Sequence, residues 1–582
     1  MICTDTKACS NPMHAGDRGR TQPDLSCDVL VAGSGIAGLS AAIEAARAGA
    51  RVVLASAGPL RSGSSFYAGT WGMGLVGPAS DDPDGEDLAA AICRVGCGMA
   101  DPAHVRTLVR GVRPAIAWLE GLGVRLREPS DDQAAQETGF IPCFDDRPRL
   151  WRGIEQEGLW SALTAELGRL GVETFERCEL VDLIEGDGEG GGRRVLGAWL
   201  YDHGHGRFLA VGCGAVVLAT GGSSGLFQRR LTSGDVLGTA QGIALAHGCG
   251  LVNIEFMQIM PGFVAPANGV VFNEKTFRYL DPSCFVGTGL PTGEALAGLL
   301  EMRSSHGPFT SRLPDHAIDL AIDGAGSDGL EMRYRGFGQD VPEFVQIFSE
   351  WLGRAYGLTS SDGFRLGLFA HASNGGIRIG LDGGTALPGF YAAGEATGGM
   401  HGADRLGGLS SANGLVFGRL AGRAAAGFSL DAAGRTETLP TDAASGGGIP
   451  CLGLAREEAE GMTQRLAGVL SARCMVGRTE EGLGAAPAEV EDMERALWEG
   501  AGAERQADDA ALARALRLRW QLLHARALIS AMLARTESRG SHHRADHPAE
   551  DSGLSRPHEV VAQARDGTFS LEVRPVEFGQ GD

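Results

Sequence analysis

The segment DVLVAGSGIAGLSAAIEAARAGARVVLAS, residues 28–56, leaves few options for the fold around it. An apolar run, VLVA, meets Gly33-Ser34-Gly35-Ile36-Ala37-Gly38; an alanine-rich stretch and a second apolar run, VVLAS, follow. That order reads as buried strand, glycine turn, helix, strand. In this setting the glycine spacing is a dinucleotide-binding fingerprint. The first glycine makes the turn, the second admits a pyrophosphate, and the third lets helix and strand pack. The helix N-terminus, opened by Ile36 and Ala37, then receives the phosphates. A second match, Gly324-Ala325-Gly326-Ser327-Asp328-Gly329, runs into LEMRYRG and not into a helix, so it reads as an ordinary loop. One fingerprint predicts one nucleotide site and no separate nicotinamide domain. The second strand ends on Ser56, where a nicotinamide-binding unit usually has an acidic ribose ligand.

Glycine is about twice as frequent as usual, with 90 in 582 residues, yet it has no collagen period and the chain is 43% apolar. Tight turns and close backbone–ligand approaches account for that mixture. A net charge of −21 argues against a nucleic-acid partner held through phosphates. The twelve cysteines include no C-x-x-C pair and no cluster of four, so no iron–sulfur or zinc ligand set is expected. Residues 1–24 have no apolar signal core, and no run is long enough for a membrane span. A cytoplasmic location with reduced thiols is the expectation.

Residues 1–27 read as a polar tail. Strand and helix signals alternate over 28–250, ending near GAVVLATGG. Residues 251–362 are irregular and punctuated by Gly and Pro, and strand-like chemistry resumes in 363–435. This predicts an α/β, doubly wound (Rossmann-like) domain in two parts, 28–250 and 363–435, interrupted by an α+β insertion. Apolar residues at helical spacing (Ala459, Met462, Leu466, Val469; then Leu512, Leu516, Trp520, Leu523) predict a helical bundle over 440–548. Residues 549–582 read as a tail.

RSGSSFYAG (61–69), VVLATGG, FYAAGEATGG and HGADRLGG stand in one order along the chain, and RTESRGSHHRADHP follows. The set resembles the succinate dehydrogenase/fumarate reductase flavoprotein family, most nearly its L-aspartate oxidase branch, over most of residues 28–548. The resemblance implies FAD and a capping role for the insertion. Gly33, Gly35 and Gly38 would meet the pyrophosphate, and Ser56 the adenosine ribose. Ser62, Ser64, Ser65, Ala68 and Gly69 would lie along the flavin. Ala219, Thr220, Gly221 and Asp235 would add cofactor contacts, as would Gly394, Glu395, Arg405 and Ser410. Relatives with covalent flavin carry a histidine where Ser64 stands, so non-covalent FAD is expected.

The resemblance also implies a small carboxylate substrate. Hydride transfer beside a carboxylate needs cations that fix it, and a forked guanidinium suits that task. Arg405 in HGADRLGG and His371 in HASNGG match the carboxylate binders, with His401 beside them; Arg312 matches the proton-transfer arginine, and Glu274 belongs to the catalytic set. Plainer alternatives stand next to these: a structural ion pair for Arg405, a satisfied loop histidine for His371, a surface arginine for Arg312.

The departures are specific. EFMQIMPG keeps Gln258 and Pro261 of the family's Gln-x-His-Pro, but Met260 replaces the substrate-facing histidine. Asn273 stands where threonine is usual, and Leu409 replaces an asparagine. His542, His543 and His547 match a structural tail of the family, and no metal site is expected. The expected activity is an FAD-dependent oxidoreductase of the L-aspartate oxidase or fumarate reductase type. A flavoprotein subunit exchanging electrons with an iron–sulfur partner is the alternative, and a flavin-holding scaffold without turnover a third.

Overall fold

A computed structural model describes residues 20–578 except 71, 129–141, 189–190, 338–340, 432–437, 441–451, 453, 500–507 and 566–567. At its centre five strands run parallel in the order Phe390–Ala392, Ala215–Leu218, Val29–Ala32, Val52–Ala55, Glu173–Phe175. The first four are buried on both faces, and their unbroken apolar runs (VLVA, VVLA, AVVL) are what a doubly covered parallel sheet requires.

The helix Ile36–Arg47 covers this sheet, and the helix Leu409–Leu430 packs against it. Their close approach rests on glycines spaced four apart. A Cβ on Gly418 would come within 2.5 Å of the Ala37 carbonyl oxygen, and one on Gly422 within 2.2 Å of that of Ala41. An antiparallel sheet of Leu25–Ser26, Arg207–Gly212, Arg193–Asp202 and Cys178–Asp187, in which only the short first strand runs parallel to its neighbour, completes the nucleotide-binding half.

The insertion is built on an antiparallel sheet in the order Val270–Val271, Met257–Ala265, Phe364–Ser373, Leu330–Met332. Its third strand lies beyond residue 362, in a segment expected to rejoin the parallel sheet. Phe364–Ser373 pairs instead with Met257–Ala265, and eight of its ten residues are buried. The loop-like second glycine match is a short 3-10 turn, Gly326–Asp328.

Three helices, Arg456–Arg473, Glu480–Glu499 and Asp509–Ala534, form the C-terminal bundle. Leu466, Leu516, Trp520 and Leu523 of the expected helical stripes are buried there. The segment read as a tail folds: His558–Arg565 and Thr568–Pro575 pair as a hairpin, and the former strand also pairs with Leu251–Val252. Fully buried charges clamp this C-terminal part to the insertion. Arg535 Nε lies 2.7 Å from Glu255 and Nη1 2.8 Å from Glu537, with every side chain out of solvent. Among the described residues no helix is long and apolar enough to cross a membrane.

Candidate active site

A cavity of about 340 Å³ opens where the parallel strands end, between the glycine turn and the insertion's sheet. Ligands in open α/β sheets bind at this edge. Gly33 has φ +107°, and a Cβ there would lie 2.2 Å from the carbonyl oxygen of Ala219, so only glycine lets the two strands converge. A Cβ on Gly38 would stand 1.8 Å from the Gly33 carbonyl oxygen, which fixes the helix directly behind the turn. The helix Ile36–Arg47 has no side-chain cap from Gly35; its first amide, that of Ile36, goes to Ser65 Oγ, and Ile36 and Ala37 bring the helix start to the cavity wall. Such an end favours a phosphate.

Ser56 also lines the cavity, and its Oγ accepts from Ser34 Oγ at 2.9 Å. Ser65 Oγ accepts from the Ile36 amide at 3.0 Å, tying the 61–69 loop to the helix. Asp235 braces the same loop. Its Oδ2 lies 2.5 Å from Ser62 Oγ, and its Oδ1 accepts from the Gly63 amide at 3.2 Å. Ser64 Oγ and Thr220 Oγ1 line the cavity region as buried hydroxyls with no partner among the described residues. Ala219, Gly221, Gly394, Glu395 and Ser410 complete the expected wall.

The glycine cradle, the helix start at the wall and the two orphan hydroxyls fit a dinucleotide. Gly38, Ser62, Ala68 and Gly69 stand behind this wall rather than in it, with Gly69 bonded through its carbonyl to the Val271 amide at 2.9 Å.

Arg405 reaches the cavity from the loop that precedes the helix Leu409–Leu430. Its Nε and Nη2 both donate to Gln258 Oε1, at 3.2 and 2.8 Å, and among the described residues no carboxylate pairs with it. The guanidinium is therefore aimed but not neutralised, which disposes of the plain ion-pair alternative. Glu395, whose Oε1 accepts from the Ser373 amide at 3.1 Å, is pushed up to about 7 by burial. His371 lines the cavity with a buried, unpartnered Nδ1, and burial, then the Arg405 charge, push its pKa down to about 3. It is a neutral imidazole at ordinary pH.

Two expected residues lie elsewhere. His401 is buried and is held to about 3 by the same two causes, but it is not part of the cavity wall. Arg312 also stands off the wall. Its Nε donates to Asp404 at 2.7 Å, and Thr310 Oγ1 donates to the same oxygen. The guanidinium lies over the Phe144 ring, 5.3 Å from its centroid. It holds the residue next to Arg405 and reaches the cavity only through it.

Met260 lines the cavity within an apolar cluster of Leu231, Val271 and Phe369, against which Tyr67 packs. Glu274 stands back from the wall at this end. Cys143, which the sequence does not single out, lies with its Sγ 3.7 Å from Glu274 Oε1, and burial, then Glu274, push its thiol up to about 12. Tyr67 is likewise absent from the expected set, although it sits inside the SSFYAG run. The ring nitrogens of His542 and His543 contact Arg478, the Arg535 carbonyl and the Val476 carbonyl, while His547 stands apart from them beside Glu480 and Asp546.

Comparison with known proteins agrees with this geometry. The FAD binding domain family model matches residues 28–279 and 304–411, and the fumarate reductase flavoprotein C-terminal model matches 463–581. The chain is 30% identical to an L-aspartate oxidase of Streptomyces coelicolor over 574 residues, covering 94% of this chain and 93% of that protein. It is 27% identical to one of the subunits of the fumarate reductase (CoM/CoB) of Methanothermobacter marburgensis, covering 90% and 94%. Among solved structures, Sdh1 of Mycobacterium smegmatis aligns with a TM-score of 0.75 at 23% identity over 95% of this chain and 94% of that one. A quinol–fumarate reductase chain aligns at 0.76 and 22%, over 96% and 99%. These two share the fold. The chain is an FAD-dependent oxidoreductase and belongs to the succinate dehydrogenase/fumarate reductase flavoprotein family, with L-aspartate oxidases among its relatives.

Proposed function

We propose that the protein dehydrogenates, or in reverse reduces, a small organic acid at the carbons beside its carboxylate. The observation that carries this is Arg405: a cation in the cavity wall, aimed by Gln258, with no acidic partner among the described residues. Its Nη1 makes no hydrogen bond among the described residues, so donors remain for a charge-assisted pair with a carboxylate. FAD, when bound, would supply two-electron chemistry, a hydride passing between it and one substrate carbon and a proton being lost or gained at the neighbouring carbon.

The chain's own residues divide the remaining work. Gly33, Gly35, Ile36 and Ala37 would hold the pyrophosphate, and Ser56 the adenosine ribose. Ser64 cannot form a histidyl link, so the cofactor is held without a covalent bond. Ser410 and the uncapped start of the helix Leu409–Leu430 place a positive dipole where negative charge develops. His371 donates or accepts one neutral hydrogen bond. Glu274, set behind the wall beside Cys143, and Arg312, which acts through Asp404, are positioning residues.

The test is anaerobic bleaching of the protein-bound flavin by carboxylic acids against their methyl esters. The acids are expected to bleach it and the esters not; equal bleaching by the esters overturns the reading. A separate electron-carrying partner is the second reading, favoured because the Methanothermobacter relative is one component of a larger fumarate reductase. Co-purification of an iron–sulfur protein with the full chain tests it.

A further inference from the structure

We propose that the acid recognised in this cavity is a monocarboxylate with an apolar far end, and not a short dicarboxylate. This rests on the reading of Arg405 as the carboxylate clamp and adds what lies next to it. Among the described residues Arg405 is the sole arginine or lysine in the cavity wall. One fork fixes one carboxylate. Arg312, the other arginine expected to face substrate, is engaged by Asp404 outside the wall. His371 adds no charge, because burial and Arg405 keep it neutral.

The wall next to the clamp is apolar. Gln258, which carries the guanidinium, and Met260 lie two residues apart on the strand Met257–Ala265, roughly 7 Å of extended chain. A short carbon chain spans that distance. At its far end the ligand meets the Met260 thioether with Leu231 and Val271, all at most 7% exposed, and Tyr67 packed against them.

The same end repels a second carboxylate. A Cβ on Gly307 would lie 3.1 Å from Met260 Cε and 3.7 Å from Glu274 Oε2, so both side chains close on the same glycine. A dicarboxylate would place its distal charge on a sulfur and a buried apolar cluster, away from the one cation in the described wall. Desolvating an ion without a partner is the costliest arrangement available to a binding site. The cavity therefore selects by attraction at one end and by rejection at the other.

The experiment is a binding titration of the FAD-loaded full-length protein, followed by the change in flavin absorbance. The probes are succinate and L-aspartate, butanoate and 3-phenylpropanoate, and the primary amides of the latter two. The apolar monocarboxylates are expected to bind at least tenfold more tightly than succinate or aspartate, and at least tenfold more tightly than their own amides. Met260→His is expected to shift the ratio of monocarboxylate to dicarboxylate affinity at least tenfold toward the dicarboxylate.

Succinate or aspartate binding as tightly as the apolar acids overturns the substrate class while leaving the carboxylate clamp standing. Amides binding as tightly as the acids overturn the clamp itself. Binding by none of the acids overturns both. The comparison among ligands on the unaltered protein decides the matter even if the Met260 variant does not fold.

Discussion

Replacing Arg405 with glutamine separates the clamp from every other role of its loop. The guanidinium uses two donors on Gln258 Oε1 and pairs with no carboxylate among the described residues, so the substitution leaves no buried protein acid unpaired. It does remove the donors for a ligand carboxylate. A hydrogen bond to a charged group contributes about 1.5–3 kcal/mol, so a bidentate pair contributes about 3–6 kcal/mol. Glutamine keeps one neutral donor, which puts the expected loss near the lower bound. At about 1.4 kcal/mol per factor of ten, kcat/KM for the acid substrate should fall about a hundredfold or more. Arg405→Lys keeps the charge but loses the fork, and a fall of about tenfold is expected.

FAD content should be unchanged in both variants, since the phosphate cradle lies at the glycine turn. A second readout needs no turnover. Burial, then Arg405, holds His371 and His401 near 3, and removing the charge should move both ring titrations upward in NMR spectra. Turnover within about fivefold of the unaltered enzyme at full FAD occupancy, with both histidines unmoved, refutes the assignment.

Gly38→Ala sets a methyl 1.8 Å from the Gly33 carbonyl oxygen; FAD retention through gel filtration should be lost and stability should fall by about 1–3 kcal/mol or more in urea titrations. Glu395 has a folded-state pKa near 7, above the ordinary 4.5, so the native state holds the extra proton between those values. Cofactor-free protein should lose up to about 3 kcal/mol as pH rises from 4.5 through 7, and Glu395→Gln should flatten that slope in denaturant titrations. His524 shows the opposite sign. Burial holds it near 4, with Nδ1 on the Gly238 carbonyl at 2.8 Å, while the unfolded chain protonates near 6.5. Its contribution is lost as pH falls through that window, about 2 kcal/mol by about pH 5, and His524→Gln should remove that component. Arg535→Met strands Glu255 in the interior, while Glu537 keeps Arg539, and should cost about 3–5 kcal/mol, read from the urea midpoint.

The legible parts of this molecule are those whose causes are local. Gly33, Gly35 and Gly38 announce themselves because each answers a steric demand within a few residues or one strand away. The AVVL and VLVA runs do so because both faces are covered. Phe364–Ser373 misleads because a buried strand of either sheet carries the same apolar signature, and its partner Met257–Ala265 lies far back along the chain. The C-terminal hairpin does leave a signal: alternating runs on either side of Asp566-Gly567, a favoured two-residue turn, in the stretch that reads as a tail. Arg312 illustrates the limit. Its motif shows an arginine after GPFTS, but that its charge is taken up by Asp404 depends on a contact across 92 positions.

The loop that carries Arg405 shows why the C-terminal bundle belongs to the active site. HGADRLGG alternates glycine and alanine with its larger side chains and forms no regular element of its own, so its conformation is imposed by what packs around it. The Ala403 carbonyl accepts from the Ser541 amide at 3.1 Å, from Ser541 Oγ at 2.8 Å and from Asn374 Nδ2 at 3.2 Å, while its amide donates to the Gly96 carbonyl at 3.0 Å. Asp404 is fixed by Thr310 and Arg312. Gly96, Thr310, Asn374 and Ser541 thus converge on two consecutive positions. Glu537, Arg539 and Arg535 form the buried charged frame from which Ser541 reaches in. A guanidinium acts as a fork only while its plane is held, and here that restraint is distributed over the nucleotide-binding half, the insertion and the bundle. A thin glycine loop lets the chain approach the cofactor closely, and the rigidity it lacks is supplied by every other part of the fold.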